Sequence, residues 1–110
     1  MLRTTQPSVD GAAYISADGI LLATDLATGV DADRFGAMCA SIVALAQRTA
    51  TEAHRGKLLQ LIVDATGGPL LLTGTDAGVL AVSAKTGSQL GKLIIDVRNT
   101  ARALSQIHEP

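Results

Sequence analysis

Residues 11–23, GAAYISADGILLA, decide the fold: two short apolar runs separated by Ala17-Asp18-Gly19. Asp-Gly between such runs is the strongest local signal for a β-hairpin, because the favoured two-residue turns need positive φ at their central positions. The stretch predicts a strand over 12–16 and a return strand over 20–23. The period then changes. Residues 24–29, TDLATG, read as a loop, and Asp31 and Asp33 supply an N-cap and a first-turn acid for a helix running to about residue 53. Gly56 is placed to stop that helix, with Arg55 and Lys57 just beyond its end.

Further along, residues 58–63 form an apolar run broken only by Gln60, the pattern of a strand covered on both faces. Gly67-Gly68-Pro69 reads as a turn, 70–72 as a strand, 74–78 as another turn and 79–83 as a last strand. Thr86 or Ser88 can cap a final helix whose Leu90, Leu93, Ile94, Val97, Ala101 and Leu104 share one stripe. Lys92, Arg98, Asn99, Arg102 and Gln106 then make its solvated side. Upstream of the hairpin, residues 1–10 are polar, contain Pro7 and show no periodicity; they read as a flexible tail ahead of a domain spanning 11–107. The order β-β-α-β-β-β-α is that of an α+β domain on an antiparallel sheet.

A chain of 110 residues allows one domain, large enough for a real core. The formal net charge of −1 argues against a nucleic-acid partner. No apolar run approaches the roughly 20 residues of a membrane span, and the first ten residues lack a signal-peptide core. Cys39, the single cysteine, cannot form an internal disulfide and fits a reducing cytoplasm.

Motifs for catalysis are missing. Gly91-Lys92 is followed by Leu93 and has no Gly-rich lead, so it is not a phosphate loop. Residues 74–78, GTDAG, outline a nucleophile elbow but carry Asp76 where the serine belongs, and they join two predicted strands. His54 and His108 lack Cys or carboxylate neighbours at metal-ligand spacing. Asp31 with Asp33, and Asp18 with Asp76, are explained by capping and turns. With Tyr14 and Phe35 as the only aromatic residues, there is no stacking platform for bases or sugars. The expectation is a non-enzyme without cofactor or metal.

The helix over 31–53 is the informative element. At 100° per residue, Phe35, Met38, Cys39, Ile42, Val43, Leu45, Ala46 and Ala50 fall in one broad arc, which reads as the core face. The opposite arc holds Gly36, Ala37, Ala40, Ser41, Ala44, Gln47, Arg48 and Thr51. A solvent-facing side normally carries Lys and Glu, so this small, uncharged strip reads as a place where another helix lies closely. Alanine is also the best helix former, and plain surface is the alternative. Arg48, His54, Arg55 and Lys57 cluster at the helix C-terminus, where they either complement the dipole or meet a partner.

Val9-Asp10-Gly11-Ala12-Ala13 followed by 18–23, DGILLA, resembles the opening of the roadblock / dynein light chain domain. Residues 29–35, GVDADRF, look like the start of the central helix of its bacterial members. Residues 78–82 and 86–91, GVLAV and TGSQLG, resemble the last strand and the start of the final helix. The likeness runs from about residue 9 to 106. It implies a profilin-like, five-stranded antiparallel sheet of order 2-1-5-4-3 with a central and a C-terminal helix, the family's N-terminal helix being missing or very short here. It also implies pairing across a two-fold axis through the central helix and an edge strand, which puts Leu58, Gln60 and Ile62 in the interface beside the helix strip. Family members serve as scaffolds or regulators of small Ras-like GTPases, or as dynein-associated light chains; some bacterial ones stimulate GTP hydrolysis by reshaping their partner. The expectation is a non-catalytic, homodimeric cytoplasmic module that binds or regulates a small Ras-like GTPase. The alternative is an adaptor in a motor or signalling complex without one, and a small enzyme comes last.

Overall fold

The computed structural model describes residues 8–107. Five strands, β1 (Val9–Ser16), β2 (Leu21–Asp25), β3 (Leu61–Ala65), β4 (Gly68–Gly74) and β5 (Gly78–Ala84), are joined by α1 (Ala32–Glu52) and followed by α2 (Leu90–Ile107). All neighbours are antiparallel, in the order β2-β1-β5-β4-β3. This is the expected profilin-like architecture.

The helices cover opposite faces of the sheet. Leu80, Val82 and Ala84 of β5 join Val9, Leu71, Leu93, Val97 and Ala101 in the core beneath α2. The alternate residues Val79 and Ala81 join Ala13, Ile15, Leu72 and Cys39 beneath α1, with Phe35 and Val43 packed on them. Successive side chains of a strand point to opposite faces, so a strand at the sheet centre must be apolar throughout. The doubly covered strands are therefore β5 and its neighbours β1 and β4, not the run at 58–63.

The β1–β2 turn forms where Asp18-Gly19 predicts it, with Gly19 at φ 90. Ser16 donates its hydroxyl to Asp18 and accepts from the Ile20 amide at 3.0 Å, which closes the turn with side-chain bonds. Residues 74–78 join β4 to β5 as a turn and not as an elbow; Thr75 accepts from the Gly78 amide at 3.0 Å, and Ser105 of α2 accepts from the Asp76 amide at 3.0 Å.

Several boundaries move. Val9 and Asp10 belong to β1, where the Ser83 hydroxyl donates to Asp10 at 2.7 Å. The domain thus begins before residue 11, and residues 1–7 of the predicted tail lie outside the described residues. Thr24 and Asp25 extend β2. Gly68 and Pro69 start β4, paired with Ala65 and Asp64. Proline fits there because its missing N–H costs the ladder little near a strand start. Neither proposed hydroxyl caps α2: Thr86 donates to the Thr66 carbonyl at 3.3 Å, and Ser88 donates to the Lys85 carbonyl.

Gly56 does not stop α1. Its N-cap is Asp31, which accepts from the Arg34 amide at 3.2 Å, and its C-cap is Ala53. His54 then turns the chain in the left-handed region, at φ 57. The Arg55 amide donates to the Ala50 carbonyl at 2.8 Å and the His54 amide to the Thr51 carbonyl at 3.0 Å. That is the Schellman pattern, with histidine at the position glycine usually takes. A side chain there is strained, so His54→Gly is expected to raise unfolding stability by about 0.5–1 kcal/mol. Urea titration of the pure proteins checks this; an unchanged or lower midpoint would contradict it.

Candidate interaction surface

The rotation of α1 about its own axis decides which residues a partner can meet. Gly36 sets it. A Cβ at Gly36 would stand 3.1 Å from the Gly19 carbonyl oxygen and 3.4 Å from Leu21, so the helix touches the β1–β2 hairpin here through its backbone. Gly36 and Cys39 are buried and Phe35, Ala40, Val43, Ala46, Gln47 and Ala50 are half-buried. Burial pushes the Cys39 thiol up to about 11, so at neutral pH it stays a protonated, inert core group.

The outward side is shifted from the one the arc sorting picks and overlaps it in part. Met38 is 63% exposed, Leu45 60% and Ile42 42%, although helical periodicity places all three on the core arc. Of the expected interface strip, Ala37, Ser41, Ala44, Arg48 and Thr51 are exposed, whereas Gly36 is buried and Ala40 and Gln47 are half-buried. The apolar arc of α1 is wider than the sheet can cover, and periodicity alone does not fix its centre. Small residues let the backbone approach the sheet, so the helix turns Gly36, Cys39 and Ala40 inward and leaves three larger side chains outside. Met38, Ser41, Ile42 and Leu45, with Ala37, line one shallow depression of about 410 Å³; Leu45, Arg48, Thr49, Glu52 and Ala53 line its continuation toward the C-terminus.

Gln47 has an internal task. Its Oε1 accepts from the Leu58 amide at 2.8 Å, and its Nε2 donates to the Gly56 carbonyl at 3.2 Å. The side chain thereby fastens the segment leading to β3 against α1. Leu58 and Gln60 precede the strand, which starts at Leu61. Gln60 Nε2 donates to Thr73 Oγ1 at 2.8 Å, and its Oε1 is buried without a partner. Turning the amide over would orphan the nitrogen instead, so one polar atom stays unsatisfied either way.

β3 is an end strand of the sheet. Leu61 packs beneath α1, while Ile62 is 38% exposed and Leu59, in the segment ahead of the strand, is 66% exposed. An unpaired strand edge flanked by apolar side chains is a template for pairing. Two unpartnered features therefore stand out, the outer side of α1 and the edge of β3. Among the described residues no group of three or more His, Cys, Asp and Glu could hold a metal, and no helix is long and apolar enough to cross a membrane. His108 lies outside the described residues.

A family model described as the Roadblock/LC7 domain matches residues 2–84. An uncharacterised protein of Methanocaldococcus jannaschii is 30% identical over 93 residues, covering 84% of this chain and 82% of the relative. Among solved structures, MglB in a tetrameric arrangement superposes with a TM-score of 0.83 at 20% identity, covering 96% of this chain and 83% of that one. A Roadblock/LC7 domain from Streptomyces avermitilis superposes with a TM-score of 0.74 at 18% identity, covering 89% and 86%.

Proposed function

We propose, from the premise that the chain belongs to the Roadblock/LC7 domain family, that it is a non-catalytic homodimeric module that binds or regulates a small Ras-like GTPase. The observation that carries the dimer is the row Met38, Ile42 and Leu45, exposed on the outside of α1 in the single chain. Apolar groups of that size on a helix surface are costly in water and favour a protein partner. The open edge of β3 supports the same reading, because a second copy can continue the sheet there and hide both features together.

The GTPase half rests on what the family does. The sequence carries no G-x-x-x-x-G-K-[ST] phosphate loop, so its contribution to GTP hydrolysis would be to reshape a partner that already holds the nucleotide. A tagged chain purified from the cells that make it is expected to bring down a protein carrying the G-x-x-x-x-G-K-[ST] phosphate loop, and adding the chain is expected to change that protein's GTP turnover. Complexes free of any such GTPase would overturn this half and favour the adaptor without one.

A further inference from the structure

We infer that the depression between α2 and the segment ahead of β3 docks an acidic peptide segment of a partner protein, its carboxylate held by Arg98 and Arg102 and an apolar neighbour resting on Leu59. The site lies on the α2 side of the sheet, so it does not depend on pairing through Met38, Ile42 and Leu45. Thr73 fixes that placement. Along β4 it follows Leu72, which packs beneath α1, and shares the other face with Leu71 beneath α2.

Arg98, Arg102 and Ser105 of α2 line the depression, of about 260 Å³, together with Leu59 and the end of β4 at Thr73 and Gly74. The two arginines are four residues apart, so their side chains leave the helix on one side, about 6 Å apart along its axis. Like charges at that spacing weaken a helix. The dipole does not explain them, because its effect fades within the last turn and no basic residue lies there. Both are exposed, and among the described residues neither guanidinium has a hydrogen-bond or ion-pair partner. No carboxylate lines the depression to neutralise them.

The hydroxyls beside them are also left to donate. Ser105 accepts from the Asp76 amide at 3.0 Å, and Thr73, 4% exposed, accepts from Gln60 Nε2 at 2.8 Å. Each oxygen is thus held as an acceptor and keeps its proton unspent. Turning the Gln60 amide over would spend the Thr73 proton but leave Gln60 Nε2 unspent, so a donor remains either way. Donors without an opposing acid suit a carboxylate, which arginine grips through two parallel bonds. Leu59 decides between a free anion and a peptide: 66% exposed, it offers an apolar wall that inorganic phosphate cannot use and an aliphatic side chain beside the acid covers. Gly74 adds no side chain to the lining, and nothing stands within 4 Å of its Cβ position. The volume suits one or two side chains and falls below the roughly 300–1,000 Å³ of a site for a whole small molecule. No aromatic ring lines it, as a nucleic-acid base would need.

A random heptapeptide library panned on the wild-type chain tests this, followed by anisotropy titration of the best peptide carrying a fluorophore. Enriched sequences are expected to place Asp or Glu beside Leu, Ile, Phe or Met. Arg98→Ala/Arg102→Ala should weaken binding at least about 10-fold, and changing the peptide's acids to amides should weaken it as much. Arg98→Lys/Arg102→Lys keeps the charge without the fork and should recover only part of the loss. Leu59→Ser should cost about 3-fold or more. Both arginines are exposed, so circular dichroism melting should match wild type. A library that yields no enriched sequence, or sequences without acids, would overturn the site. So would acidic peptides that bind Arg98→Ala/Arg102→Ala as tightly as wild type, or that are lost only in Arg55→Ala/Lys57→Ala, at the end of α1. Displacement by inorganic phosphate together with indifference to Leu59→Ser would show a free-anion site and overturn the peptide.

Discussion

Leu45→Glu is expected to convert the dimer into a monomer while leaving the fold intact. Leu45 is 60% exposed in the single chain, so the change should alter the monomer's stability by no more than about 0.5 kcal/mol. In the dimer the carboxylate would be desolvated beside apolar groups, with Arg48 one turn on as the nearest charge on the same face. That costs several kcal/mol, enough to weaken association more than about 100-fold. Ala44→Glu lies on the flank of the outward face and should weaken pairing less. Size-exclusion chromatography with light scattering, beside a circular dichroism spectrum, separates pairing from folding. A Leu45→Glu protein that stays dimeric at wild-type affinity would show that α1's outer side is bare surface.

A large loss of stability is expected at Gly78. A Cβ there would stand 1.9 Å from the Ile15 carbonyl oxygen and 2.8 Å from the Ser16 backbone, at the end of the β1–β5 pairing where Gly78 lies opposite Ser16. Those atoms are main chain and cannot swing aside, so β1 must move away from β5 or the turn before β5 must open. Gly78→Ala should cost about 3 kcal/mol, which lowers the melting temperature by roughly 15 °C for a domain of this size. Gly74, at the other end of the same turn, has no atom within 4 Å of its Cβ position. Gly74→Ala is therefore the control and should stay within about 1 kcal/mol of wild type. Protein concentration must be held fixed, because dimerisation adds to apparent stability. Equal melting temperatures for Gly78→Ala and wild type would contradict this account of the β1–β5 contact.

Those two positions differ in how far the sequence announces them. The hairpin was legible because Asp18-Gly19 is a local signal whose chemistry needs no tertiary context. The stripe of α2 was legible because Leu93, Val97 and Ala101 lie on a helix with one apolar face, and all three are buried. The sheet order came from the resemblance of ordered motifs, since no local rule places β3 beside β4 at an edge. The rotation of α1 was not legible: both of its sides are apolar or small, and the choice between them depends on Gly36 meeting Gly19, 17 positions earlier in the chain. The start of β3 was hidden for a related reason. Leu58 and Leu59 continue an apolar run, yet the Leu58 amide is taken by Gln47, so pairing begins at Leu61. Gln47 looked like surface because its bonds reach a segment 9 to 11 residues ahead, which a helical wheel does not include. Where apolar residues outnumber what one core can bury, the exposed remainder marks the interaction face. Only the packed structure shows which residues remain.

The central claim is that Met38, Ile42 and Leu45 are covered by a second copy of the same chain. The mass of the wild-type protein in solution tests it most directly. Light scattering across a dilution series down to micromolar concentration is expected to give twice the 11.2 kDa chain mass. A mass of 11.2 kDa throughout the series would contradict the claim.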